Sequence, residues 1–456
     1  MEALAGLWAG AGLDAEALER VRLTGAEPVL PSSFAVGIAA QTSIAAAGLA
    51  AAEFHRLRGG PAQRVSVDMR HAGAEFRSER YVRVDGMAAP DPWDPIAGLY
   101  PTADGWVRLH TNFAHLRAGV VRLLGCADER GAVAAALLGW RAEAFESAAA
   151  EAGMCVTALR SFTRFDAHPQ GIALAAQPVI SIERIGDAPA ELAPAADRPL
   201  AGIRVLDLTR IIAGPVCGRT LAAHGAEVLL ITGPHLPAIP SLVIDTGRGK
   251  RAAQLDLRTA DGRACLAELV RGADVFVQGY RPGGLAACGF GPADTARLRP
   301  GIVHVSLSAW GPDGPWAGRR GFDSLTQTAS GFNVAEAEAA GETKPRALPA
   351  QALDPASGYL CALGATAALH RRAREGGSWH VQVSLARTGQ WIRSLGRIDG
   401  FGCADPGFED VRDLMEESAS GFGRLSGVRH AAILSATPAR WALPPVPLGT
   451  HAPSWT

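Results

Sequence analysis

The sequence predicts an α/β protein with a doubly wound parallel-sheet large domain and a smaller α+β domain. Three observations carry that expectation. Short apolar runs alternate with helical stretches in the second half of the chain, a hairpin pattern lies among helices in the first half, and one helix-plus-strand pattern occurs twice. The composition agrees: 48% of the 456 residues are hydrophobic and 20% charged, which is globular rather than disordered. A chain of this length fits about two or three domains. Forty-four basic against 45 acidic residues leave a net charge of −1, so no positive field recommends nucleic acid as a partner.

Residues 1–92 are Ala-rich and helical, ending in the alternating run Arg64–Met69 (RVSVDM). The start is acidic and soon charged, unlike a signal peptide. From Pro28 to Ala52 there is no charge, but Ala, Ser, Thr and Gln dominate, which predicts a buried core helix rather than a membrane span. Residues 93–195 predict the small α+β domain. There Gly98–Phe113 (GLYPTADGWVRLHTNF) reads as a hairpin about Asp104-Gly105, and Met154–Leu159 (MCVTAL) follows a helical stretch. The Ala- and Pro-rich segment 187–199 is a linker.

Residues 196–395 change texture. RVLDLT (204–209), EVLLI (227–231), AAQLDL (252–257), DVFVQ (274–278) and IVHVSLS (302–308) are near-continuous apolar runs, several of them separated by helical stretches. Strands of that kind are buried on both faces, as in a parallel sheet between two layers of helices. The pattern from Ala356 (ASGYLCALGATAALHRRAREGGSWHVQVS) parallels that from Ala39: an Ala-rich helix, a His-Arg end, a Gly-Gly break and an alternating strand. Residues 396–456 extend beyond the second copy. The seven cysteines contain no C-x-x-C pair, and their scatter fits reduced thiols in a cytosol.

The chemistry-bearing candidates are few. No metal-ligand spacing occurs among the 12 histidines, and the first strand of the large domain is followed by Ala213-Gly214-Pro215 instead of a glycine fingerprint. Asp354, before Pro355 in QALDPASGYL, reads first as a helix cap, and the same geometry suits a carboxylate nucleophile beside free helix N–H groups; the two are compatible and local sequence does not separate them. Lys250 and Arg251 lie in a Gly-flanked turn that suits phosphate contacts or plain solvation. Tyr280-Arg281-Pro282-Gly283 follows a strand, where open α/β sheets gather ligands or simply turn into a helix. Asp323, after Gly321-Phe322, reads as a helix cap.

Together these segments resemble the class III CoA-transferases, the superfamily of formyl-CoA transferase and α-methylacyl-CoA racemase. The resemblance rests on PLAGIRVLDLTRIIAGPVCGRTLAAHGAEVLLI, RGKRAAQLDL, DVFVQGYRPGGLAACGF, the run from Ile302 to Gly331 and ALDPASGYLCALGATAALHRR. LYPTADGWVRLHTNF resembles the family's small domain, and Leu434–His451 its C-terminal signature, so the order is that of a rearranged or fused variant. The resemblance implies transfer of CoA between carboxylic acids, acyl-CoA as the substrate form of coenzyme A, no metal, and a cytoplasmic homodimer. It implies Asp354 as the nucleophile, passing through an aspartyl anhydride and an aspartyl-CoA thioester. Lys250, Arg251, Tyr280, Arg281 and Ala213 become the CoA-binding candidates, and the first repeat copy carries Ala39 at the matching position. A racemase-like relative resembles a His-Asp pair where this chain has Phe322-Asp323, and phenylalanine moves no proton. An acyl-CoA racemase or isomerase, and a non-catalytic acyl-CoA-binding paralogue, are the alternative readings. Ile212, Ala287 and the run ITGPHLPAIPSL depart from the family pattern at the CoA-binding surface.

Overall fold

A computed structural model describes residues 1–455. Its first segment is built on α1 (Val36–Leu57), whose C-terminal turn carries His55 and Arg56 before the chain turns at Arg58. By length and composition α1 could cross a membrane, yet 94% of its apolar window is buried inside the protein. Ala and Gly dominate its sequence, which lets neighbouring backbones approach closely. β1 (Val65–Asp68) follows, with Val65 and Val67 inward, and pairs with Val21–Thr24 and Ile433–Leu434.

The small unit is a three-stranded antiparallel sheet of β2 (Gly98–Pro101), β3 (Trp106–Leu109) and β4 (Val156–Ala158), packed against helices. The hairpin is where the sequence places it, but its loop is Thr102–Gly105, closed by Thr102 N–H donating to Gly105 O at 2.9 Å. Asp104 spends its side chain on Ala142 N at 2.8 Å instead of shaping a two-residue turn. β5 (Ser181–Gly186), within the 93–195 segment, leaves the small unit and joins the large sheet.

The large sheet then runs through β6 (Arg204–Leu208), α2 (Ala213–Ala223), β7 (Glu227–Thr232), β8 (Lys250–Gln254), α3 (Ala260–Arg271) and β9 (Val275–Gln278). It continues with α4 (Pro292–Leu298), β10 (Val303–Ser308), α5 (Asp323–Ser330), α6 (Leu353–Glu375), β11 (Ser378–Ser384) and α7 (Leu385–Ser394). The spatial order is β8-β7-β6-β9-β10-β11-β5, with β5 antiparallel to β11 and the other neighbours parallel. That is the order of a dinucleotide-binding-type doubly wound sheet, with its topological switch between β6 and β9. Each of the five apolar runs read from the sequence overlaps one of its strands, although β8 begins at Lys250, two residues before the run AAQLDL, and ends at Gln254.

α3 and α4 cover one face of this sheet; α2 and α6 cover the other, with α1 packed along α6. The two repeat copies therefore meet in one core. A buried ionic network also binds the first segment to the large domain. Arg219 donates to Asp245 at 2.7 Å and to Ser78 at 3.0 Å, Arg248 donates to the other Asp245 oxygen at 2.7 Å, and Glu75 pairs with His430 at 2.8 Å. The C-terminal extension closes over it: Met415–Ser420 and Gly423–Val428 form a hairpin on Arg83–Val84, and the Trp441 indole donates to Arg219 O.

Candidate active site

Asp354 is the second residue of α6, and Pro355 follows in the first turn, where its missing N–H costs nothing. The side chain does not cap its own helix. Asp323, the first residue of α5, does so from outside: its Oδ2 accepts from Leu353 N at 2.7 Å and from Asp354 N at 3.1 Å. The other Asp323 oxygen accepts from Gln327. Gln327 in turn donates to Ala350 O at 3.1 Å and accepts from Leu348 N at 2.9 Å, bolting the approach to α6 onto α5. The capping role read for Asp323 is thus exercised on α6, not on the helix Asp323 begins.

This arrangement frees the Asp354 carboxyl, which accepts no hydrogen bond among the described residues although it is 7% exposed. Burial drives its pKa well above the usual carboxylate range, and Asp323 and Glu79 nearby push it further. Burial also raises Asp323 to about 7, against the opposing pull of its three N–H donors. The two acids therefore titrate as a pair that holds a proton near neutrality.

Two further segments close on the pair. Glu79 comes from the first segment. From the small unit, β3 alternates: Val107 and Leu109 enter that unit's own core, while Arg108 and His110 take the other side of the two-residue period. His110 lies flat on Phe322 with ring centroids 3.6 Å apart and planes 12° apart. It is 5% exposed, neither ring nitrogen has a partner, and burial beside Arg108 holds it down to about 3, so it is neutral at pH 7. Asp323 is the carboxylate that supports the charge of Arg108.

The CoA-binding candidates divide. Ala213 opens α2 at the switch point, and its carbonyl lies against Gly358, one turn along α6 from Asp354; a Cβ on Gly358 would stand 2.4 Å from that oxygen. Ile211, two residues before Ala213, has φ of 75°, a costly conformation for a β-branched residue. Tyr280 and Arg281 line a cavity of about 440 Å³ with Gln278, Ser306 and His380. Lys250 is different. It is 1% exposed, and its ammonium donates to Asp207 at 2.7 Å and Pro215 O at 2.8 Å. Its hydrogen bonds tie β8 to β6 and α2, so in this structure it offers no phosphate contact. Arg251 donates to Ser454 O at 2.7 Å in the C-terminal extension. The departure ITGPHLPAIPSL also has a place: Leu236 to Ile239, held through Pro237 O by Arg210, lines a cavity of only about 40 Å³ at the ends of β6 and β7.

Sequence reading missed Glu79, Arg108 and His110. The alternation of WVRLH was a legible signal for the last two, since it sets two polar residues on the face opposite the apolar pair. Glu79 carried no such signal.

Residues 200–395 match CoA-transferase family III. An acyl-CoA transferase of Gibberella moniliformis is 30% identical over 387 residues, covering 74% of this chain and 67% of that protein. The chain belongs to CoA-transferase family III. A probable fatty acyl-CoA transferase of Mycobacterium tuberculosis, Rv3272, is 34% identical over 201 residues, 41% of this chain and 50% of that one. A succinate–glutarate CoA-transferase of Agrobacterium fabrum is 32% identical over 205 residues, 41% and 51% of the two chains. Against these last two relatives the family III chain described here spans about half of their length. The crystal structure of Rv3272 aligns with 32% identity and a TM-score of 0.40, covering 43% of this chain and 58% of that one.

Proposed function

We propose that this family III protein moves CoA between carboxylic acids, with Asp354 as the covalent carrier. The observation that carries the reading is the Asp354 carboxyl: buried, free of hydrogen bonds, and set at a helix start whose N–H groups Asp323 already satisfies. A carboxylate is a weak nucleophile, and its anhydride is destroyed by water, so position and dryness are what the chemistry needs.

An Asp354 oxygen attacks the acyl-CoA carbonyl; the C–S bond breaks, CoA leaves as thiolate, and a mixed anhydride forms. The thiolate attacks the Asp354 carbonyl carbon, the first acid leaves as carboxylate, and CoA is held as an aspartyl thioester. The incoming carboxylate attacks that thioester and expels the thiolate. Attack of the thiolate on the incoming acyl carbonyl then yields the new acyl-CoA and restores Asp354. Attack requires an ionised Asp354, so the proton held by the pair must rest on Asp323 or leave. Ala213 and the strained turn before it border this helix, and the cavity beneath Tyr280 and Arg281 offers polar contacts for the CoA carrier. Relatives named for succinyl-CoA and glutarate transfer support the reaction class.

Incubation with succinyl-CoA, followed by hydroxylamine trapping and peptide mapping, tests the assignment. A hydroxamate on the peptide containing Asp354 is expected; its absence with turnover intact removes Asp354 from the role. Racemisation has one observation in its favour, the imidazole of His110 stacked on Phe322. A group held down to about 3 is a poor proton carrier at neutrality. Exchange of the α-proton in D2O without CoA transfer would reverse that judgement.

A further inference from the structure

Arg108 feels the attraction of Asp323 but makes no ion pair with it. Its Nε is buried without a hydrogen-bond partner, and among the described residues no carboxylate forms an ion pair with the guanidinium. Asp323, the acid that attracts it, has its oxygens engaged by Leu353 N, Asp354 N and Gln327. The guanidinium instead lies over the Trp93 ring, 5.0 Å from its centroid. Two residues on, His110 is 95% buried with both ring nitrogens unpartnered, on the same side of β3 and flat against Phe322, the neighbour of Asp323. Buried donors without acceptors are costly, and a guanidinium fork is shaped for a carboxylate.

Resting on the CoA-transfer reading, we propose that Arg108, with His110 beside it, receives a second carboxylate on the acid being exchanged. The preferred substrates of the Asp354 site are then acids with a carboxylate at each end. The position favours a carboxylate over a phosphate of CoA. Arg108 stands beside the reacting acids, whereas the phosphates of CoA lie a pantetheine arm away from the thioester. The ionised Asp354 that attacks, with two further acids Asp323 and Glu79 beside it, would repel a doubly charged acid unless a cation met its far end.

The test compares acids of equal length. Titration calorimetry of the full chain with glutarate and with valerate, in the presence of CoA, reads binding whether or not turnover occurs. Glutarate is expected to bind at least tenfold more tightly than valerate. Arg108→Met should erase that difference while keeping or raising the melting temperature, since it removes a half-buried charge that has no ion-pair partner among the described residues. Arg108→Lys should restore part of the difference. Equal binding of the two acids by the natural protein overturns the proposal, as does an unchanged preference in Arg108→Met. A parallel loss of affinity for CoA itself in that variant would reassign Arg108 to a phosphate and likewise overturn it. Failure of Arg108→Met to fold, with Arg108→Lys folded and still without preference, would show a structural cation and no receptor. If glutarate preference holds but no CoA moves between any acids, the transfer reading fails and the receptor stands.

Discussion

The starts of α1 and α6 are two versions of one construction. Each Ala-rich helix receives a carboxylate from another segment at its first turn: Glu27 accepts from Ile38 N at 2.8 Å, and Asp323 accepts from Leu353 N and Asp354 N. Counted from the helix start, Gly37 stands where Asp354 stands, and pairing Ala39 with Ala356 gives the same match, so the position matching Asp354 is Gly37 and not Ala39. A Cβ at Gly37 would lie 2.8 Å from Glu27 Oε2, so the first copy has no room for an acid there. Capping alone is thus satisfied without a second carboxylate. The extra acid in α6 is a destabilising addition that capping does not explain, and the proposed carrier role accounts for it.

The comparison is broken most severely by Asp354→Ala. Transfer should fall by about a thousandfold or more, with the circular dichroism spectrum unchanged because Asp323 still caps α6; an active variant would erase the distinction between the copies. Next comes Asp323→Ala, which removes both the cap and the proton partner. A rate loss of about a hundredfold is expected, with about 1 kcal/mol of stability lost on denaturant titration. Gly37→Asp tests the other copy. It should destabilise by about 1–3 kcal/mol through crowding against Glu27, and it should yield no acylated peptide from α1.

The smallest effect is in pH dependence. The pair binds its proton more tightly folded than unfolded, Asp323 moving from 3.8 to about 7. Stability at those sites is therefore present at low pH and is lost as pH rises from about 4 through about 7. Asp354→Asn, by removing one of the two acids, should flatten that decline and gain about 2–4 °C in Tm at pH 8 relative to pH 5. The initial transfer rate of the natural protein should climb across the same interval as the pair ionises. A rate falling between pH 6 and 8 would contradict the pairing.

Much of the architecture was legible because apolar runs and helical stretches are local properties of sequence. The parallel sheet and the twice-used helix were read that way, whereas Asp354 stood out only as a helix-start acid whose proposed role came from the family resemblance. The rest depended on meetings between distant segments. Nothing near residue 354 announces that its helix is capped from residue 323, or that residues 79 and 108 approach the same acids. Lys250 was misread for a physical reason that the sequence does contain. RVLDLT reads as an apolar strand, yet its Asp207 is fully buried and requires a cation, and Lys250 supplies it. A charged residue inside a two-faced strand is a demand for a partner elsewhere in the chain.

The seventh strand of the large sheet has a consequence for how the chain can be divided. β5 precedes the other six in sequence and runs against β11, so the upstream segment guards what would otherwise be an open margin of hydrogen-bonding groups. A fragment cut to residues 200–395 would present bare β11 and the stripped flank of α6 to its neighbours. Such a truncation would self-associate along that margin, and the cut would forfeit solubility before it touched Asp354.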